Sequence, residues 1–209
     1  MAATETPVCD FGLAAPDFEL PDPAGRRWRL ADCRGERGTL VMFICNHCPF
    51  VKAVLDRIVR DTAELADAGV RSVAIMSNDA TRYPADAPPN MARLAEERGF
   101  VFPYLYDEDQ SVARAYGAVC TPDFFGYDAD LRLQYRGRLD ASRMDPAPPG
   151  ARRELYEAML RIAREGGGPA EQTPSSGCSI KWKECRRGRA PCADPPPLSR
   201  LPGPVPSRT

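Results

Sequence analysis

Thr39 to Ile44 forms an unbroken apolar run, the pattern of a central strand buried on both faces. It leads directly into Cys45-Asn46-His47-Cys48-Pro49, after which Val51, Val54, Leu55, Ile58 and Val59 recur at helical spacing until Gly69. Val70 to Met76 reads as another buried strand, and Ser77 to Asn90, rich in Pro, Asp and Asn, as a long loop. A helix over Met91 to Arg98, a short strand over Phe100 to Tyr106 and a brief helix over Asp109 to Tyr116 follow. Asp123 to Tyr127 and Leu131 to Arg138 flank the turn Asp128-Ala129-Asp130 and predict a hairpin. Ahead of these elements, Ala15 to Leu20 and Arg26 to Leu30 predict two short strands around the turn at Asp22-Pro23-Ala24-Gly25. Ala151 to Glu165 predicts a closing helix, with Leu155, Ala158, Met159 and Ile162 on one face.

This order, βαβ followed by α-β-β-α, predicts an α/β domain over residues 11–165: one central mixed sheet with helices on both faces. Residues 166–185 form a C-terminal arm after Gly166-Gly167-Gly168. Residues 186–209, with seven prolines and no apolar periodicity, predict a disordered Pro/Arg-rich tail. Arg136, Arg138 and Asp140 are expected to form a solvated strand end. Composition narrows the chemistry. The net charge of −1 and pI near 6.0 exclude a general attraction to nucleic acid or anionic membrane. Only Lys52, Lys181 and Lys183 among the 28 basic residues are lysines, and the Ala and Pro richness beside them points to codon bias. Residues 1–12 lack a basic start and an apolar stretch of signal-peptide length, and no apolar run spans a bilayer; a cytoplasmic protein is expected.

The telling counts are eight cysteines and one histidine. One histidine excludes a metal centre built on two or more. There is no second C-x-x-C, and Cys178, Cys185 and Cys192, with six residues between neighbours, are loosely spaced for zinc, so no metal is expected. In a reducing compartment eight cysteines do not suggest a disulfide framework, and a C-x-x-C pair reads as redox chemistry. At a strand-to-helix junction, unpaired N–H groups and the positive end of the helix dipole favour a thiolate. That placement activates Cys45, since the thiolate is the attacking species. Cys48, on the first turn, can close a small disulfide ring with it. His47 lies inside the ring and, protonated, would stabilise the Cys45 thiolate and make the disulfide more oxidising. Pro49 suits the first helical turn.

Several segments in order resemble the thioredoxin-fold redoxins related to alkyl hydroperoxide reductase and thiol-specific antioxidant proteins. They are A-P-D-F-E-L at 15–20, F-I-C-N-H-C-P-F-V at 43–51, S-N-D at 77–79, F-P-Y-L-Y-D-E at 102–108, Y-G-A-V-C-T-P-D-F-F at 116–125, Y-R-G-R-L-D at 135–140 and G-C-S-I-K-W-K at 177–183. The resemblance implies a thioredoxin-like fold with the C-x-x-C at a helix start and Thr121-Pro122 beside it, Pro122 being cis. It also implies that Thr121, Asn46 and Pro49 contact substrate, the backbone before Pro122 receiving it as an added strand. Two departures are present. The redoxin peroxidase pattern P-x-x-x-[TS]-x-x-C has Met42 three residues before Cys45, and Cys45 three before Cys48, so its hydroxyl is missing. Copper-delivering relatives need a distal histidine, and His47 is inside the motif. Cys120 and Cys178 are candidate accessory redox residues, Cys178 on an arm that folds back; Cys9, Cys33, Cys185 and Cys192 carry no motif.

The expected activity is therefore thiol–disulfide exchange, in which Cys45 attacks, Cys48 resolves, His47 tunes the thiolate and Pro122 presents the substrate. No cofactor beyond the redox-active disulfide is expected. The partners would be a disulfide or dithiol substrate and a thiol electron donor. The alternatives are a thiol peroxidase and a non-enzymatic redox-sensing module with a Cys178 disulfide.

Overall fold

The structure, a computed structural model, describes residues 3–7 and 11–184. Cys9, Cys185, Cys192 and the tail expected to be disordered lie outside those residues. The chain begins with β1 (Ala3–Glu5), β2 (Glu19–Pro21), β3 (Arg27–Arg29) and the four-residue α1 (Leu30–Cys33). Next come β4 (Gly38–Phe43), α2 (Pro49–Asp67), β5 (Val70–Met76), α3 (Pro88–Glu97), β6 (Tyr104–Tyr106) and α4 (Ser111–Tyr116). The last elements are β7 (Cys120–Thr121), β8 (Asp123–Tyr127), β9 (Leu133–Arg136), α5 (Glu154–Glu165) and β10 (Ser176–Ser179).

Five strands make the central sheet in the order β6-β5-β4-β8-β9. β4 pairs parallel with β5 and antiparallel with β8, so Val41 lies between Val73 and Phe125. The apolar run reads continuously because β4 has a core on each face. Leu40 and Met42 pack with Val54, Leu55 and Ile58 of α2, Met91 of α3 and Leu155 and Ile162 of α5. Val41 and Phe43 point the other way, to Leu20, Leu30, Val112 and Tyr116. The mixed sheet covered on both sides is the thioredoxin-like arrangement. No helix among the described residues is long and apolar enough to cross a membrane.

The differences from the sequence reading have physical reasons. The stretch read as a loop holds a 3-10 turn at Pro84–Asp86 and the start of α3 at Pro88. Proline in a first helical turn loses no hydrogen bond, so its density did not break the helix. Three strands, β1, β7 and β10, form a second sheet in the order β1-β10-β7, which no alternation announced. The expectation of a solvated strand end at 136–140 is overturned. Arg136 and Asp123 both have fully buried side chains and pair at 3.0 Å, while Arg138 meets Glu154 at 2.7 Å and Asp140 meets Arg57 at 3.0 Å. Their partners come from β8, α5 and α2, so nothing adjacent in the chain signals the burial.

Candidate active site

β4 delivers the C-x-x-C segment to the start of α2. Cys48 is the N-cap residue and Pro49 the first residue of the helix, where its missing N–H costs nothing. The helix ends at Asp67, and Gly69 just beyond the cap residue Ala68 has a φ of 79°, the left-handed conformation that glycine adopts without strain. Opposite the pair stands Thr121-Pro122, and that peptide is cis, as the resemblance implies. Among the described residues Cys33, Cys45, Cys48, Cys120 and Cys178 are free and buried.

Thr121 meets both sulfurs: its hydroxyl oxygen lies 3.4 Å from Cys45 Sγ, and its carbonyl oxygen 3.1 Å from Cys48 Sγ. Cys178 of β10 hydrogen-bonds to Cys48 as well, which places Cys48 between two thiols. These surroundings separate the two members of the pair. Cys48 is brought down to about 4 because Cys45 donates to it; burial opposes this, and the Thr121 hydroxyl and the backbone amides of Val51 and Cys178 reinforce it. One contact works the other way, since the protonated Cys48 thiol donates to the Thr121 carbonyl. Cys45 is held well above the usual thiol range by that same donation, by burial and by the Asp86 carboxylate. The amides of Val51 and Cys178 at Cys48, and the Asp86 carboxylate near Cys45, thus favour the charge on Cys48. The sequence reading put it on Cys45; the helix end and its amides serve the N-cap residue, and a carboxylate stands near Cys45.

Asp86 was not singled out from the sequence. It is fully buried, and Oδ1 accepts the backbone N–H groups of Asn46 at 2.8 Å and His47 at 3.2 Å. Its Oδ2 accepts from His47 Nδ1 at 2.6 Å and Asn78 Nδ2 at 2.9 Å. Burial alone would raise its carboxyl; the His47 and Asn78 hydrogen bonds, with the Asn46 amide, bring it below the ordinary aspartate range. A carboxylate acceptor places the proton of His47 on Nδ1, leaving Nε2, which has no hydrogen-bond partner among the described residues. The ring also stacks on Tyr83 at 5.2 Å. His47 is thus held in place by Asp86.

Asn46 is spent internally, its amide donating to the Ala85 carbonyl and its oxygen accepting from Tyr104. Cys120 is fully buried and its thiol raised by desolvation. Ligand atoms of Cys45, His47 and Asp86 lie within 4.8 Å of one another, close enough among the described residues to hold a metal ion. Both Asp86 oxygens and His47 Nδ1 already share hydrogen bonds, which a metal would have to displace.

The lowered Cys48 thiol has a direct readout. The ultraviolet absorbance of a thiolate in the reduced protein should persist down to about pH 4 and disappear in Cys48→Ser while surviving in Cys45→Ser, whose hydroxyl can still donate. Between that value and the ordinary thiol value of 9.0 only the unfolded chain holds the proton. Stability of the reduced protein should therefore rise with pH across that window and be lost as pH falls through about 4. A first thiol step near the ordinary value would refute the assignment.

The AhpC/TSA family matches residues 11–136. The chain is 28% identical over 123 residues to "Putative peroxiredoxin Rv2521" of Mycobacterium tuberculosis, covering 59% of this chain and 73% of that protein. It is 29% identical over 131 residues to thiol-disulfide oxidoreductase ResA of Geobacillus thermodenitrificans, covering 63% and 71%. Among solved structures, an uncharacterized conserved protein from Geobacillus kaustophilus superimposes with a TM-score of 0.83 at 48% identity, covering 89% of this chain and 99% of that one.

Proposed function

We propose, on the premise that this chain belongs to the AhpC/TSA family of thioredoxin-fold redoxins, that it is a thiol–disulfide oxidoreductase working through Cys45 and Cys48. The observation that carries the reading is the pair itself: two free thiols at the N-terminus of α2, facing the hydroxyl and carbonyl oxygens of Thr121 at the cis Thr121-Pro122 peptide, with the surroundings lowering Cys48. At neutral pH Cys48 is then a nucleophile without any base having to remove its proton. It attacks one sulfur of a substrate disulfide, forming a mixed disulfide and expelling the other sulfur as a thiolate that takes up a proton. Cys45 next attacks Cys48 Sγ, freeing the second substrate thiol and closing the Cys45–Cys48 disulfide. His47, oriented by Asp86 and with Nε2 unengaged, receives the Cys45 proton in that step. A small thiol or dithiol donor restores the reduced pair, and the run in reverse oxidises a dithiol. The Cys45–Cys48 disulfide is the only redox group this cycle uses.

Peroxide reduction is the second reading, favoured by one observation. The hydroxyl missing from the peroxidase pattern is supplied from another element, Thr121 Oγ1 standing 3.4 Å from Cys45 Sγ. Insulin-type disulfide reduction, paired with mass-spectrometric mapping of the oxidised protein, decides between the two. Catalysed insulin reduction and a Cys45–Cys48 disulfide are expected. Rapid peroxide consumption without insulin reduction would overturn the first reading in favour of the second.

A further inference from the structure

In the exchange reaction proposed above, the backbone before Pro122 is the ledge on which a substrate strand would lie. In this molecule the ledge is filled. β10 pairs antiparallel with β7, Cys178 opposite Thr121 and Ser179 opposite Cys120, and β1 closes its other edge with Ala3 opposite Cys178. The hydrogen-bonding that an added strand uses to dock is thus satisfied within the chain. Cys178 consequently occupies the place of a substrate cysteine: it stands opposite Thr121, whose carbonyl lies 3.1 Å from Cys48 Sγ, and it shares one buried cluster with Cys45 and Cys48, the three being 3%, 1% and 0% exposed.

The fit is close. A Cβ on Gly177 would collide with the Thr121 carbonyl, so only glycine lets the arm approach there. Ser175 Oγ donates to the Pro122 carbonyl at 2.8 Å. Beyond β10 the arm is held by Ile180, 3% exposed within the apolar core, and by a set of polar contacts. Lys181 N–H donates to Asn78 Oδ1 at 2.8 Å, and its carbonyl accepts from the Asp79 N–H and from Gln110 Nε2. Gln110 Oε1 accepts the Lys183 N–H at 2.7 Å, and Arg114 lies over Trp182 at 4.4 Å. Strand pairing and water-exchangeable tethers of this kind can open locally without unfolding the domain.

We infer that β10 is a tethered substrate strand and Cys178 a third redox cysteine, exchanging with the Cys45–Cys48 couple and excluding external disulfides until the arm lifts. The inference rests on the exchange activity proposed above and deepens it. Starting from the oxidised pair, the Cys178 thiolate attacks Cys48 Sγ. The Cys48–Cys178 bond forms as Cys45–Cys48 breaks, and Cys45 leaves with the electron pair and takes up a proton to replace the one Cys178 released. One disulfide and one thiol stand on each side, so no further oxidant is required.

The test uses the full chain, oxidised with glutathione disulfide and mapped by mass spectrometry. In Cys45→Ser, glutathione first couples to Cys48 and is then displaced by Cys178, so a Cys48–Cys178 disulfide without retained glutathione is expected. In the wild-type protein a Cys48–Cys178 fraction should accompany Cys45–Cys48. Gln110→Gly removes the tethers to Lys181 and Lys183 while suiting the positive φ of 65° at that position. It should raise both the rate of Cys48 alkylation and the rate of insulin reduction several-fold. A normal Cys45–Cys48 disulfide in the wild type, with Cys178 remaining a free thiol both there and in Cys45→Ser, would overturn the tethered strand and leave the exchange reading intact. Absence of both the Cys45–Cys48 disulfide and insulin reduction would instead remove the reading on which it rests.

Discussion

Cys48→Ser should lower disulfide reduction by at least about a thousandfold, since removing a covalent nucleophile leaves only binding and positioning. Serine keeps the shape of the side chain but has no anion near neutral pH, so the variant isolates the chemistry from the fold. The complementary variant reads the order of attack. In Cys45→Ser/Cys178→Ser, both proposed exchange partners of Cys48 are gone, and a substrate disulfide should remain covalently attached at Cys48 as a stable mixed disulfide. In Cys48→Ser/Cys178→Ser no comparable adduct should accumulate, because Cys45 is held protonated by burial and by Asp86. Intact-mass analysis after exposure to a small disulfide separates the two outcomes. An adduct on Cys45 and none on Cys48 would restore the order read from the motif alone.

The largest stability effect is expected far from the sulfurs. Arg136 and Asp123 pair with fully buried side chains, Arg136 also donating to the Gly117 carbonyl at 2.7 Å and lying 4.4 Å over the Phe125 ring. Arg136→Met fills much of the same space but leaves the Asp123 carboxylate buried without its cation, which costs about 3–5 kcal/mol. Burial already raises the Asp123 carboxyl even with Arg136 beside it, so in the variant that group will tend to take up a proton. The unfolded chain binds the same proton below the ordinary aspartate value of 3.8, so the loss should shrink as the pH falls into that range. Asp123→Leu/Arg136→Met should recover most of the lost stability. Urea unfolding of the three proteins measures all of this. A loss below about 1 kcal/mol in Arg136→Met, the range of exposed pairs, would show that the pair is solvated after all.

Much of this molecule is written in local pattern. β5 and β8 have the limits their residues suggest, because an apolar run between turn residues can be satisfied only as a buried strand. The start of α2 is equally local, Pro49 and the helical spacing of Val51, Val54 and Leu55 leaving no other reading. The position of the C-x-x-C at a strand-to-helix junction follows from those two facts, and with it the proposal of redox chemistry.

Other features depend on residues that meet only after folding. Asp86 lies 39 positions from His47, in a stretch whose prolines mask a turn, and no periodicity connects the two. β10 is four residues, Ser-Gly-Cys-Ser, too short and too polar to register as a strand until β1 and β7 pair on either side. Arg136 reads as a surface charge because it lies in the charged stretch that also holds Arg138 and Asp140, while its buried partner stands on the adjacent strand. The sequence alone determined the central sheet with its covering helices, the pair of sulfurs and their place at a helix end, since hydrophobic period and capping act over a few residues. Tertiary structure decided which sulfur carries the charge and what covers it. Electrostatic shifts depend on distances through space, and only folding brings Asp86, Thr121 and Cys178 to Cys45 and Cys48.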